Sequence, residues 1–281
     1  MILSDRHRFV FVHVPKCAGT SVRNAVRPYH DADERFLKAV ERHPDLGEID
    51  FRHLPLRLLR DLDPDAFEKL KIYDSYALLR DPFQRFRSAM AQRAKMYLGH
   101  EFAQLGDNEL RAELCRVQDY LLSEPRVIAP EFIHFARQSD FVQIGDERLV
   151  SNLFPLERLD LLTSALARHI GAQTLPMMHV NKTEVFRYPR IKHVARTGGL
   201  LARRMLPGPM HEMLRRSARR MLMKPVTAAE RSIFDDVQVR EFIASYYSAD
   251  IVLYKDVQER MVTYVQNQQM QELNGGQDRL I

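Results

Sequence analysis

The first long apolar run, Phe9-Val10-Phe11-Val12-His13-Val14, is rich in β-branched and aromatic residues and stops at Pro15. A short run with no polar side predicts a strand buried on both faces of a parallel sheet. A glycine-containing turn, Lys16-Cys17-Ala18-Gly19-Thr20-Ser21, follows it, and Val22, Ala25 and Val26 then recur at helical spacing. A second strand is predicted over residues 72–79, closing on Arg80-Asp81-Pro82. Asp81 suits a helix cap and Pro82 a first helical turn, so a helix is predicted over about 83–97. Further helices are predicted at 108–122 and 156–170, the latter stopped by Gly171, with a short strand at 141–144. Helical spacing returns over 226–265 in Phe234, Val237, Phe242, Ile243 and Tyr246, and the polar stretch 266–281 reads as a flexible tail. Strands alternating with helices predict a three-layer α/β domain over 1–265.

The composition narrows the class. The 281 residues are 45% hydrophobic and 28% charged, which excludes disordered, collagen-like and disulfide-framework proteins. No apolar run approaches the ~20 residues of a transmembrane span. The first residues lack the apolar core of an export signal, and two cysteines, Cys17 and Cys115, suit a reducing compartment. The expectation is a soluble, cytoplasmic protein.

Charge changes the picture more. The net charge is +5, but residues 190–224 hold ten Lys or Arg and one acid, a local +9. The remaining 32 basic and 36 acidic residues leave −4 for the rest. From Pro209 the residues Met210, Met213, Leu214, Ala218, Met221 and Leu222 fall on one side of a helical pattern. Arg215, Arg216, Arg219 and Arg220 fall largely on the other. This basic amphipathic segment, 209–223, suits an acidic or lipid-linked acceptor or the inner membrane surface. The plainer reading packs the Met/Leu stripe on the domain and leaves the arginines solvated.

A glycine turn before a helix presents free backbone N–H groups to an anion, and Lys16 adds a mobile cation. The order is not that of a nucleotide P-loop, because the lysine precedes the glycine and the first glycine is missing, so a kinase or GTPase is disfavoured. Arg80 stands at the predicted C-terminal end of the second strand, the ligand side of an open α/β sheet, and Ser88 lies two turns into the next helix. Arginine offers a planar fork for a phosphate, and two such elements on adjacent strand ends imply a ligand with phosphates at both ends.

His13-Val14-Pro15-Lys16-Cys17-Ala18-Gly19-Thr20-Ser21 resembles the 5′-phosphosulfate loop of carbohydrate sulfotransferases related to the uronosyl 2-O- and chondroitin-type enzymes. Arg80-Asp81-Pro82, Arg85 and Ser88 resemble their 3′-phosphate site. His134-Phe135-Ala136-Arg137-Gln138-Ser139 is similar to a family segment written H-F-x-P-Q-S, with Arg137 where proline is common. Phe154 to Leu159, His179-Val180-Asn181-Lys182-Thr183, and Tyr246-Tyr247-Ser248-Ala249-Asp250 through Tyr254 follow in the family's order. Residues 190–224 look like an insertion.

The resemblance implies a P-loop-like three-layer fold with a central, mainly parallel sheet. It also implies sulfuryl transfer from 3′-phosphoadenosine 5′-phosphosulfate (PAPS) to a hydroxyl, most often of a glycan, without a metal. Lys16 would stabilise the departing phosphate, and the backbone from Cys17 through Ala18, Gly19, Thr20 and Ser21 would hold it. Arg80 and Ser88 would hold the 3′-phosphate, with Arg85, Gln138, Asn181, Lys182 and Thr183 as further cofactor contacts. His53, between the two phosphate motifs, is the expected general base, and His13, beside the loop, is its rival. Cys17, near a lysine and a helix N-terminus, sits where thiol pKa values fall, yet it reads as a small filler. Two other readings stay open. One is a small-molecule or lipid sulfotransferase, and the other is a basic polyanion-binding protein, with nucleic acid the less expected partner.

Overall fold

Two parallel strands carry the loop and the arginine. β1 (Ile2–Ser4) pairs antiparallel with β2 (Phe9–Val12), whose four side chains are all buried. After β2 the chain forms α1 (Gly19–Val26) and a hairpin of β3 (Val40–His43) and β4 (Gly47–Asp50). A 3-10 turn, Phe51–His53, leads to α2 (Leu56–Leu62) and α3 (Pro64–Ile72). β5 (Asp74–Leu79) then lies parallel to β2, with Phe9 opposite Asp74 and Val12 opposite Ala77. The computed structural model describes residues 1–38, 40–100, 102–176, 184–186, 223–225 and 233–275.

The strand predicted from residue 72 begins later. Asp63 accepts a hydrogen bond from the Ala66 N–H at 2.9 Å and Pro64 fills the first turn, so the helix signal runs through an exposed Ile72. After β5, the Asp81 carboxylate caps α4 (Pro82–Tyr97) by accepting from the Gln84 N–H at 2.9 Å. α5 (Asp107–Leu122) follows. The strand predicted at 141–144 is a 3-10 turn, Ser139–Phe141, and a two-residue β6 (Gln143–Ile144). β6 pairs with β7 (Glu147–Arg148) across a left-handed Gly145 and stays outside the main sheet. The fourth main strand is instead β8 (Asn152–Pro155), parallel to β5, giving the order β1-β2-β5-β8. The fold is thus mixed α/β around a four-stranded, mainly parallel sheet.

α6 (Leu159–His169) ends before a left-handed Gly171. Two short strands, β9 (Glu184–Phe186) and β10 (Met223–Pro225), pair antiparallel. The helical stretch near the C-terminus is divided into α7 (Val237–Tyr246) and α8 (Ser248–Gly275) by Tyr247, and α8 runs beyond the last apolar position of the pattern. Asn181, Lys182, Thr183 and the amphipathic segment 209–222 lie outside the described residues.

One apolar core covers the sheet. A second fills the space between α4, α5 and α7 around Phe86, whose ring meets Phe135, Phe242 and Tyr247 edge-on at 5.4–6.1 Å. The two cores are joined by polar groups. Asp250, in the first turn of α8, accepts from the Gln138 N–H at 2.8 Å and the Ser139 N–H at 2.9 Å. Its carboxylate also faces Arg85 of α4 at 3.6 Å, with both side chains fully buried. Arg85 in turn donates to the His134 carbonyl at 3.1 Å.

Removing one member of a buried ion pair strands the other charge, at a cost of about 3–5 kcal/mol. Asp250→Ala is therefore expected to lower the unfolding free energy by that amount, read in urea as a lower midpoint at unchanged slope. A loss within the range of exposed pairs, below about 1 kcal/mol, would refute the clamp.

Candidate functional site

The turn after β2 is held in an uncommon backbone shape. Lys16 and Ala18 both have positive φ, 65° and 56°, without being glycine. Left-handed residues in such a turn bring successive N–H groups toward one concavity, a shape suited to anions. The Ser21 N–H is already bonded to the Ala18 carbonyl at 3.2 Å. Ala18 and Thr20 are exposed, whereas Cys17, Gly19 and Ser21 are buried.

Gln138 ties this turn to the end of β5. Its buried side-chain amide accepts from the Arg80 N–H and donates to the Arg80 carbonyl, each at 2.8 Å. The same amide oxygen accepts from the Cys17 thiol at 3.2 Å, and Arg80 Nη1 donates to the Lys16 carbonyl at 3.4 Å. Lys16 and Arg80 are therefore brought together from neighbouring strand ends. Lys16 Nζ donates to Gln92 Oε1 of α4 at 3.1 Å. Ser88 is one helical turn before Gln92, on the same face, so the lysine ammonium lies over the face that carries Ser88. Burial first, then the Arg80 charge and more weakly Lys95, lower the Lys16 pKa to about 8. The buried Nε of Arg80 has no hydrogen-bond partner among the described residues.

Three imidazoles form a row beside the loop. The His13 ring lies against Gly19 so closely that a Cβ there would collide with its Cδ2. Gly19 thus makes room for His13 rather than for a ligand. His53 packs on His13 with ring centroids 4.3 Å apart, and its Nδ1 lies 3.0 Å from the His13 carbonyl oxygen. A carbonyl only accepts, so Nδ1 carries the proton and Nε2 of the neutral ring is the basic nitrogen. His134 meets His53 edge-on at 5.6 Å. Burial pushes His53 and His134 down to about 3 and His13 well below its usual value.

Of the sequence-predicted residues, the structure brings together Lys16, Cys17, Ala18, Gly19, Thr20, Ser21, Arg80, Ser88, His13 and His53 around this edge of the sheet. Arg85 and Gln138 stand behind it. Arg85 is fully buried against Asp250, and both ends of the Gln138 amide are spent on Arg80, so these two frame the site from within. The conditions expected to acidify Cys17 are outweighed by burial, which pushes its thiol up to about 12. Glu157 accepts from Tyr254 at 2.8 Å, and Asp160 is bonded to Arg158 at 3.4 Å. Arg137, in place of the family's proline, donates to the Tyr246 carbonyl at 3.0 Å and lies over the Tyr246 ring. Sequence reasoning gave no role to Gln92, Lys95, His134 or Asp250. The first two were within reach, four and seven residues beyond Ser88 on one helix.

Among the described residues no group of His, Cys, Asp and Glu is arranged to hold a metal ion, and no helix is long and apolar enough to cross a membrane. These features define a mixed α/β protein whose cations gather with buried imidazoles at the C-terminal edge of a parallel sheet. Residues 1–255 match the model of the sulfotransferase family, and the chain belongs to that family. It is accordingly a transferase of sulfuryl groups, with a hydroxyl-bearing acceptor. No curated relative and no solved structure matches it.

Two outcomes follow from the row of rings. Each imidazole held neutral in the fold but free to charge when unfolded binds its proton only in the unfolded state below the ordinary histidine pKa. Stability is thus expected to fall from pH 6.5 toward 4.5 by about 1.4 kcal/mol per unit for each such ring. Urea melts across that range, compared with those of His53→Gln, measure it, and the variant should show the shallower slope. Gly19→Ala is expected to displace His13 and weaken anion binding at the loop while helix propensity improves. Calorimetric titration of the variant with pyrophosphate tests this, and unchanged binding would refute the contact.

Proposed function

We propose that the chain transfers a sulfuryl group from PAPS to a hydroxyl of a carbohydrate acceptor, within a P-loop-like three-layer domain. The observation that carries this reading is the convergence of Lys16 and Arg80. Arg80 is braced on the Lys16 carbonyl at 3.4 Å and keeps a buried Nε without a partner among the described residues, while Lys16 stands over the Ser88 face of α4. Two cationic groups on adjacent strand ends fit a nucleotide with a phosphate at each end. PAPS supplies the activated sulfuryl group when bound.

In this reading the left-handed turn through Lys16 and Ala18, with the N–H groups of Gly19 and Thr20, holds the 5′-phosphate, and Lys16 balances the charge that gathers there. Arg80 and Ser88 hold the 3′-phosphate. His53 takes the acceptor proton on Nε2, since its Nδ1 proton is bound to the His13 carbonyl. A pKa of about 3 is low for that task. Nearby phosphate and sulfate charge raises an imidazole pKa, which makes the base effective only in the loaded site. His13, wedged on Gly19, supports His53 instead of replacing it.

The +9 segment favours an anionic acceptor, a glycan or a lipid-linked one presented at a membrane surface. A cytoplasmic location suits this reading.

Calorimetric titration with the desulfated product, 3′-phosphoadenosine 5′-phosphate (PAP), and with 5′-AMP tests the proposal. PAP is expected to bind at least about tenfold more tightly, with the preference lost in Arg80→Ala, as for one charge-assisted contact. Equal binding of the two nucleotides would overturn it. An anion favours charged Lys16, which in the free protein loses its proton near pH 8. PAP affinity is therefore expected to hold steady below that pH and to fall above it, up to about tenfold per unit.

A further inference from the structure

The helix that follows the phosphate loop carries more positive charge than its surroundings answer. Gly19, Arg23 and Arg27 stand four residues apart on one face of α1, and Arg27 closes the helix with helical angles, φ −53° and ψ −38°. His13 packs against that face at Gly19. At the helical rise per residue the two arginines stand about 6 and 12 Å along the axis from it. Arg23 is only 8% exposed, yet no carboxylate pairs with it among the described residues. Its Nη2 donates to the Leu37 carbonyl at 2.9 Å and the Phe36 carbonyl at 3.4 Å. Its Nε is buried without a partner among the described residues, and its Nη1, equally unbonded, is left open to solvent.

Like charges at this helical spacing repel. The charged groups facing Arg23 are Arg27, Arg52 of the turn after β4, and one carboxylate, Asp50. That carboxylate is already engaged, because Arg52 Nε and Nη2 hold its two oxygens at 3.0 and 2.9 Å. The Met1 amino group donates to the Arg52 carbonyl at 3.2 Å. Burial and then the Arg23 charge push it down to about 4, so it adds no charge at neutral pH. Arg27 is exposed and has no ion pair among the described residues. Three guanidinium groups against one carboxylate leave two positive charges unanswered. A buried cation without a counter-charge is costly, and an anion seated between Arg23 and Arg27 would remove that cost.

We propose that Arg23 and Arg27 form an anion subsite, separate from the nucleotide site, that takes a carboxylate or phosphate of the acceptor. The inference rests on the sulfuryl-transfer reading and deepens its account of the acceptor. Arg23 stands one helical turn from the His13 contact, so an anion held there sits beside the imidazole row, on a part of the acceptor adjoining the reacting hydroxyl. Arg23, pinned on two carbonyls, supplies the fixed half of the grip, and the exposed Arg27 supplies the mobile half. The subsite holds the acceptor and takes no part in moving the proton or the sulfuryl group.

The test fills the nucleotide site with PAP and then titrates the protein calorimetrically with glucuronate, with glucose 6-phosphate and, as neutral control, with glucose. Both sugar acids are expected to bind at least about tenfold more tightly than glucose. Arg27→Gln is expected to lose about tenfold of that affinity while its PAP affinity stays unchanged. The variant also relieves the repulsion with Arg23, so its melting temperature without anion is expected to rise by about 1 °C. Phosphatidylcholine vesicles with and without phosphatidate form the second arm. Phosphatidate-dependent binding that is lost in Arg27→Gln, in place of sugar-acid binding, supports the subsite and assigns its anion to a lipid headgroup. Sugar acids that bind no better than glucose, with vesicle binding indifferent to Arg27→Gln, overturn the subsite and leave the sulfuryl-transfer reading standing. Sugar-acid affinity unchanged in Arg27→Gln, or a fall in its melting temperature, also overturns it, the latter by giving Arg27 a structural role. Failure of wild type to bind PAP overturns the reading of the nucleotide site, a separate result, and the same titrations on the free protein then decide the subsite.

Discussion

The carboxylate of Asp250 is the point on which the site is assembled. It is buried in the first turn of α8, and it holds the Gln138 and Ser139 N–H groups at 2.8 and 2.9 Å. The Arg85 guanidinium lies beside it at 3.6 Å. A buried charge is tolerable only when paired and hydrogen-bonded. Here those requirements bind three distant stretches to one another: α4, the turn before β6, and the long C-terminal helix. Gln138 then passes that placement on to Arg80 and Cys17, and Arg80 passes it to the Lys16 carbonyl. The cations at the edge of the sheet thus rest on a chain of directional bonds that begins at one carboxylate.

Histidine and glycine stand in an unexpected relation. A glycine in a phosphate-type loop is usually explained by the ligand that comes near it. In this chain the space above Gly19 is taken by the His13 ring, which also packs on His53. Loop and imidazole row are one packed unit. Any change in the glycine is felt at the imidazole row, and the low pKa values of the row are caused chiefly by its burial in that packing.

The legible parts of the fold were those with local signals. The unbroken apolar run of β2, the Asp81 cap and Pro82 of α4, and the left-handed Gly171 after α6 are each decided within a few residues. β8 was missed because a four-residue strand ending at Pro155 gains its stability from β5, far away in sequence. The strand expected through Ile72 yielded to a helix cap nine residues earlier, a stronger local signal than the apolar residue itself. Lys16, Arg80 and His53 were visible as residue types at telling positions. That Arg85 and Gln138 face inward was not visible, since it depends on Asp250, more than a hundred residues away. Cys17 shows the same limit, because proximity to a lysine is local and burial is not.

The Gln138 side chain has one more consequence. By accepting from the Arg80 N–H and donating to the Arg80 carbonyl it impersonates a neighbouring peptide, adding a final rung to the ladder where no strand continues. A peptide neighbour would bring a chain with it and fill the ground beyond β5. An amide side chain supplies the rung alone and leaves that ground open. Only a group that both gives and takes a hydrogen bond can do so, which a carboxylate of the same length cannot. At this end of the sheet the last rung belongs to a side chain.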